Sequence, residues 1–231
     1  MIIIQTLILA NSTIKMTLTV AINIQDYIFL ASDQRLTIEC APETNLPPKT
    51  YISHYKKIKY WEYGAITVSG DVMLMHYFFV ILQAHAKQNC WDFLQMAQEA
   101  RCFYFQNNKT TQPATGTAFI SIYTLDKVEI VHVSIKEHLI EYEVIEPMHA
   151  HFSLYAGRPD DPIYQVFVNS LKKLDQFLNR EDFFNYHIEL IKYFFTRQKR
   201  FDESITSSFD LFIQNTTTGK GVLITVNNSE P

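Results

Sequence analysis

Residues 16–35 read MTLTVAINIQDYIFLASDQR, two apolar, strand-like segments joined at Gln25 and Asp26 and closed by Asp33 and Arg35. In the first, Leu18, Val20, Ile22 and Ile24 recur at the period of two that marks a half-buried strand. The second, YIFLAS, is a continuous apolar run, as in a strand covered on both faces. A hairpin follows, with Thr17 at its entrance and Asp33 and Arg35 at its exit. Eight residues out and seven back, at about 3.3 Å per residue, return the chain to its starting level, which sets Asp33 beside Thr17.

The segment 40–55 holds Pro42, Pro47 and Pro48 without periodicity and reads as a surface connection. KKIKYWEY and AITVS form a second hairpin around Gly64. Asp71 is placed to cap a helix with Val72, Met75, Phe79, Leu82 and Ala86 on one face. Asn89 and Asp92 mark the start of a second helix, 90–105. Polar residues 106–113 separate these helices from three strands, 117–124, 128–135 and 139–146, spaced as a meander. Asp161 before Pro162 signals a helix start, with Ile163, Phe167, Leu171, Leu174 and Leu178 at helical spacing. A further helix carries Phe184, Ile188, Ile191 and Phe195, and strands are expected at 209–214 and 221–226. The order is strands, two helices, strands, two helices, strands. Two sheets face to face with a helical pair outside each bury every apolar face in this order.

The chain has 231 residues, 47% hydrophobic and 19% charged, enough for one well-cored α+β domain. A net charge of −4 and the lack of a basic stripe argue against nucleic acid or an acidic membrane surface as partner. Arg197, Lys199 and Arg200 form a tight basic cluster and fit a helix C-terminus. Cys40, Cys90 and Cys102 are odd in number and lack metal-ligand spacing, which suits reduced thiols in the cytoplasm. Asn-x-Ser/Thr triplets such as those beginning at Asn11, Asn108 and Asn215 would matter only in a secreted protein. No membrane-spanning run occurs. Residues 1–16 make a poor signal peptide, lacking a basic start and a small-x-small cleavage site. They are expected to be a propeptide, or upstream sequence never translated with Met16 as the start, and residues 17–231 to be a single domain.

A threonine opening a TxTVxI strand, with AxDxR ending the next, resembles the N-terminal pattern of proteasome β-type subunits; Asp33 stands sixteen residues after Thr17, the spacing of that family. The resemblance extends to Lys57 and Ile58 and to AITVSGD at 65–71. Within the family it is closest to the bacterial proteasome-like group called Anbu, which shares a Met-Thr start, an SDxR segment and a GxxxxPI stretch like 157–163. It implies the four-layer αββα sandwich of N-terminal-nucleophile (Ntn) hydrolases. It also implies a threonine peptidase without cofactor, acting on peptides or proteins and assembling with its own copies into a ring or spiral. An ATP-dependent unfoldase partner is left open.

Threonine is a weak nucleophile that needs a base in reach, and a chain-terminal α-amine with a pKa of roughly 7.7–8.0 supplies one on the same residue. A lysine beside the amine favours its neutral form, and an aspartate holds the lysine. Thr17, Lys57 and Asp33 fit these roles, and the Gly70 N–H fits the oxyanion donor at a glycine turn before a helix. Lys49 competes with Lys57, since it lies at the family's ungapped distance from Thr17. The resemblance calls for a late supporting aspartate, and Asp202 matches best, with Ser204 as partner; the family's serine and double glycine are not kept in RFDESITSSFD. Taken singly, Asp33 and Arg35 also fit a surface ion pair worth about 0–1 kcal/mol. Lys57 alone also fits a solvated cluster with Lys56 and Lys59. His149 and His151, alternating along a strand, offer two metal ligands without a third in view, and read as strand histidines satisfied within the fold. The alternative to an enzyme is a catalytically silent subunit of the same fold that contributes only surfaces to an assembly.

Overall fold

A computed structural model describes residues 13–16, 18–39, 47–88, 91–108, 114–124, 127–153 and 162–228. The strands are β1 (Thr13–Met16), β2 (Thr19–Asn23), β3 (Tyr27–Asp33), β4 (Arg35–Glu39), β5 (Lys49–Ser53), β6 (Lys59–Trp61), β7 (Gly64–Asp71), β8 (Gly116–Thr124), β9 (Lys127–Ile135), β10 (Ile140–Val144), β11 (His149–Ser153), β12 (Phe209–Asn215) and β13 (Gly221–Val226). The helices are α1 (Val72–Ala86), α2 (Phe93–Asn107), α3 (Pro162–Asn169) and α4 (Arg180–Lys199).

The strands form two antiparallel sheets. One is eight-stranded, ordered β10-β9-β8-β7-β1-β4-β5 with β6 also on β7; the other is five-stranded, ordered β11-β2-β3-β12-β13. Three apolar layers hold them. The outer face of the large sheet packs Leu36, Ile66, Ala118 and Val133 against Leu74, Phe78 and Leu82 of α1 and Met96 and Ala100 of α2. The outer face of the small sheet packs Val20, Ile22, Phe29 and Leu211 against Phe167 of α3 and Phe183, Ile191, Phe194 and Phe195 of α4. Between the sheets lie Ala21, Ile28, Leu30, Ala65, Phe119, Ile130 and Phe212. The result is an αββα sandwich, the expected architecture. Each fully buried Val, Leu, Ile, Met or Phe among these contributes about 1.5–3 kcal/mol.

The leading hairpin has the expected register, Asn23 opposite Ile28 and Thr19 opposite Ser32. Gln25 takes a φ of 57° in the turn, and the Asn23 Oδ1 accepts its N–H at 3.1 Å. One expectation is corrected: β2 is buried along its whole length. Its period of two distinguishes the helix-covered face, with Val20 and Ile22, from the inter-sheet face, with Ala21.

Other corrections are local. The segment 40–55 is not all loop, since β5 follows Pro47 and Pro48 directly, its Thr50, Tyr51 and Ile52 being good strand formers; residues 40–46, with Cys40 and Pro42, lie outside the described residues. The second helix begins at Phe93 with Asp92 as its cap, the carboxylate accepting the Gln95 N–H at 2.9 Å; Asn89 and Cys90 lie outside the described residues. Asp161 does as well. The helix that follows stops at Asn169, and Leu178 is 98% exposed rather than part of its stripe. Ser170 donates both its hydroxyl, at 2.7 Å, and its N–H, at 3.1 Å, to the Val166 carbonyl at this end. On α4 the buried positions are Phe183, His187, Ile191, Phe194, Phe195 and Gln198, one residue off the expected stripe at Phe184 and Ile188. Its last turn holds Arg197 and Lys199, the cationic end expected there.

His187 is fully buried in the α4 layer, its Nδ1 2.8 Å from the Phe183 carbonyl oxygen and its ring 4.5 Å from the Phe183 ring. Burial, reinforced by Lys172, pushes its pKa down from 6.5 to about 4, against the hydrogen bond to Phe183. The unfolded chain therefore takes up this proton first as pH falls. Stability contributed above pH 6.5 is lost as pH drops toward about 4, at a cost of about 3 kcal/mol for this group. Urea melts of His187→Phe against wild type should show a pH dependence in that window smaller by one proton. Identical slopes would exclude His187 as the source.

Candidate active site

Asp33 ends β3 and is buried at the junction with β4. Its Oδ1 accepts the Leu18 N–H at 2.9 Å and the Lys57 ammonium at 2.5 Å, while its Oδ2 accepts the Arg35 N–H at 2.9 Å. The Asp33 N–H in turn donates to the Leu18 carbonyl at 3.2 Å. One carboxylate thus fixes the backbone of residue 18 and a lysine at once. Both side chains of the Lys57–Asp33 pair are 0% exposed. Burial lowers the Lys57 pKa, the Asp33 carboxylate opposes this, and Arg35 adds to the lowering.

The surface pairing weighed for Asp33 and Arg35 does not form: the guanidinium donates to the Glu203 carbonyl and lies 5.1 Å from the Tyr51 ring centre. Nor do the three lysines form a solvated cluster. Lys56 reaches Asp210 at 2.6 Å, Lys57 points inward, and Lys59 lies 5.2 Å from the Phe79 ring centre. Lys57 precedes β6 by two residues instead of opening the strand. Lys49 sits on β5, 58% exposed and 4.0 Å from Glu39. The structure brings Lys57, and not Lys49, to Asp33.

Thr17 lies outside the described residues. Its neighbours in the chain are Leu18, held by Asp33, and Met16, which stands opposite Leu36 on one side and Gly70 on the other. Opposed residues of an antiparallel pair have Cα atoms about 4.5–5.5 Å apart, so the Gly70 backbone closely approaches the chain just before Thr17. Gly70 has a φ of +93°, and a Cβ there would meet the Thr115 carbonyl oxygen at 2.4 Å. Only glycine fits. Asp71 then caps α1, accepting the N–H groups of Met73 at 2.9 Å and Leu74 at 3.0 Å. Beside Gly70, the Ser69 hydroxyl meets the Ser153 hydroxyl across the sheets.

Asp202 follows α4 in a loop and accepts from Ser204 twice, from its N–H at 2.8 Å and its hydroxyl at 2.5 Å. Its loop is tied to the β3–β4 junction by the Gln34 N–H, which donates to Thr206 Oγ1 at 2.9 Å. Sequence reasoning missed Asp210. Its buried Oδ1 accepts from Gln34 at 2.7 Å, Lys56 at 2.6 Å and Thr225 at 2.8 Å, one strand over from Asp33. The signal was available, since alternation in β12 puts Asp210 on the inter-sheet face with Phe212.

No protein-family model and no curated protein matches the chain. Solved structures do. The chain is similar to Anbu (Gly-1) mutant from Hyphomicrobium sp. strain MC1, at 13% identity and a TM-score of 0.59, over 90% of this chain and 86% of that one. It is likewise similar to Anbu (ancestral beta-subunit) from Yersinia bercovieri, at 12% identity and a TM-score of 0.59, over 92% and 88%. The fold is the proteasome-like one of the Anbu proteins.

Proposed function

We propose that the chain is a threonine hydrolase of peptide or amide bonds, with Thr17 as an N-terminal nucleophile. The observation that carries this reading is the buried Lys57–Asp33 pair at 2.5 Å, in which the same carboxylate oxygen holds the N–H of the residue after Thr17. An ammonium fixed beside a free α-amine disfavours a second positive charge, so the amine stays neutral and accepts the Thr17 hydroxyl proton. The oxygen then attacks the substrate carbonyl, and the Gly70 N–H stabilises the oxyanion. The protonated amine passes its proton to the leaving nitrogen, and water cleaves the resulting ester. Lys57 sets the amine, Asp33 positions Lys57, and Asp202 with Ser204 supports the site from its loop.

The strand β1 bears on this directly. It lies antiparallel between β4 and β7, with Met16 between Leu36 and Gly70. Without residues up to Met16, β4 and β7 would offer two facing strand edges, a slot in which an extended peptide pairs by strand addition. We read residues 1–16 as a leader whose removal frees both the Thr17 amine and that slot. Copies of the chain are proposed to assemble as a ring or spiral in the cytoplasm.

A peptide epoxyketone tests the mechanism, because it closes a morpholine ring only with the hydroxyl and the α-amine of one N-terminal threonine. The expected result is a single adduct on the Thr17 peptide with loss of hydrolysis. Hydrolysis that continues unchanged with no adduct would remove this reading.

A further inference from the structure

His132 on β9 and Glu143 on β10 face each other as a cross-strand pair of the large sheet, and His151 on β11 reaches them from the small sheet. His132 Nδ1 is 2.9 Å from Glu143 Oε1, His151 Nδ1 is 3.3 Å from the same oxygen, and the two Nδ1 atoms are 3.3 Å apart. We propose that these three side chains form a binding site for a divalent first-row transition metal, best matched to Zn2+, that staples the two sheets together.

Zinc binds imidazole nitrogen and carboxylate oxygen at about 2.0–2.2 Å in a tetrahedron, whose ligand atoms are then about 3.3–3.5 Å apart. The three separations here reach or fall slightly inside that edge. The two imidazole planes are 77° apart, so their lone pairs can converge from different directions, and Phe119 lies 5.0 Å from the His132 ring, backing it. Hydrogen bonding alone satisfies this arrangement poorly. If both Nδ1 atoms carry protons, they oppose each other at 3.3 Å; if either lacks one, that nitrogen's lone pair faces the carboxylate oxygen. A cation accepts all three lone pairs at once. Two imidazoles and a carboxylate suit zinc better than magnesium or calcium, which take oxygen ligands. Glu143 is 57% exposed, which leaves the fourth position to water.

The location gives the site a purpose. β10 and β11 are the edge strands of their sheets, so the metal would close the open edge of the sandwich. His151 stands two residues before Ser153, whose hydroxyl meets Ser69 beside Gly70. Holding β11 to the large sheet therefore also holds that contact.

Zn2+ titration of the chelator-treated protein, with a competing chromophoric chelator, should give one ion per chain. Bound Zn2+ should raise the melting temperature. Both effects should disappear in His132→Ala/His151→Ala, and Glu143→Gln should weaken binding. Pulsed EPR of the Cu2+-loaded wild type, which needs no variant, should show two coordinated imidazole nitrogens. Failure of the wild type to bind, equal binding by the folded double variant, or a Cu2+ signal without imidazole nitrogen would each overturn the proposal.

Discussion

Thr17→Ala protein should lose peptide hydrolysis by on the order of a millionfold, the scale of loss when the group carrying a covalent step is deleted. Thr17→Ser should retain part of the activity, because serine keeps both the hydroxyl and the α-amine. Stability should change by less than about 1 kcal/mol in either variant, since no large apolar group is removed. A silent subunit gives another pattern: wild type would hydrolyse nothing, and Thr17→Ala would leave every function in place. The comparison requires protein with a verified N-terminus, because a retained leader would block the amine and imitate inactivity. Undiminished hydrolysis by such Thr17→Ala protein would eliminate Thr17 as the nucleophile.

Lys57→Ala should lose turnover and about 3–5 kcal/mol of stability, because removing the ammonium breaks a fully buried ion pair and leaves the Asp33 charge in the interior. The two losses can be separated. Lys57→Met/Asp33→Asn removes both buried charges and should recover much of the stability without recovering hydrolysis, as expected if the lysine acts on the Thr17 amine. Lys49→Ala should behave as wild type within about 0.5 kcal/mol, since Lys49 is exposed at the sheet edge. Turnover restored in the double variant would show that Lys57 serves folding alone. Loss of turnover in Lys49→Ala with retention in Lys57→Ala would exchange their roles.

Much of the architecture was legible because hydrophobic period and turn chemistry are local. The 16–35 hairpin, the Asp71 cap, the meander of β8, β9 and β10, and the two C-terminal strands all follow from neighbouring residues. The misses have one cause, that burial is decided by partners distant in sequence. β5 looked like loop because Pro47 and Pro48 precede it, yet β4 pairs with it along Arg35 to Glu39. Leu178 continues a helical period but has nothing to pack on. For the site, Asp33 was legible from its spacing to Thr17. The choice of Lys57 over Lys49 was not, because it depends on how the chain after β5 turns inward to Asp33. His132, Glu143 and His151 come from three strands and two sheets, and nothing in the spacing of the last two announces the first.

In the proposed mechanism a free Thr17 amine does the chemistry, and its sharpest test is intact mass spectrometry of the active, natively produced protein. The mass should correspond to a chain that begins at Thr17, whether translation starts at Met1 and the leader is cleaved or starts at Met16 and the methionine is removed. Fully active protein whose whole population retains residue 16 would contradict it.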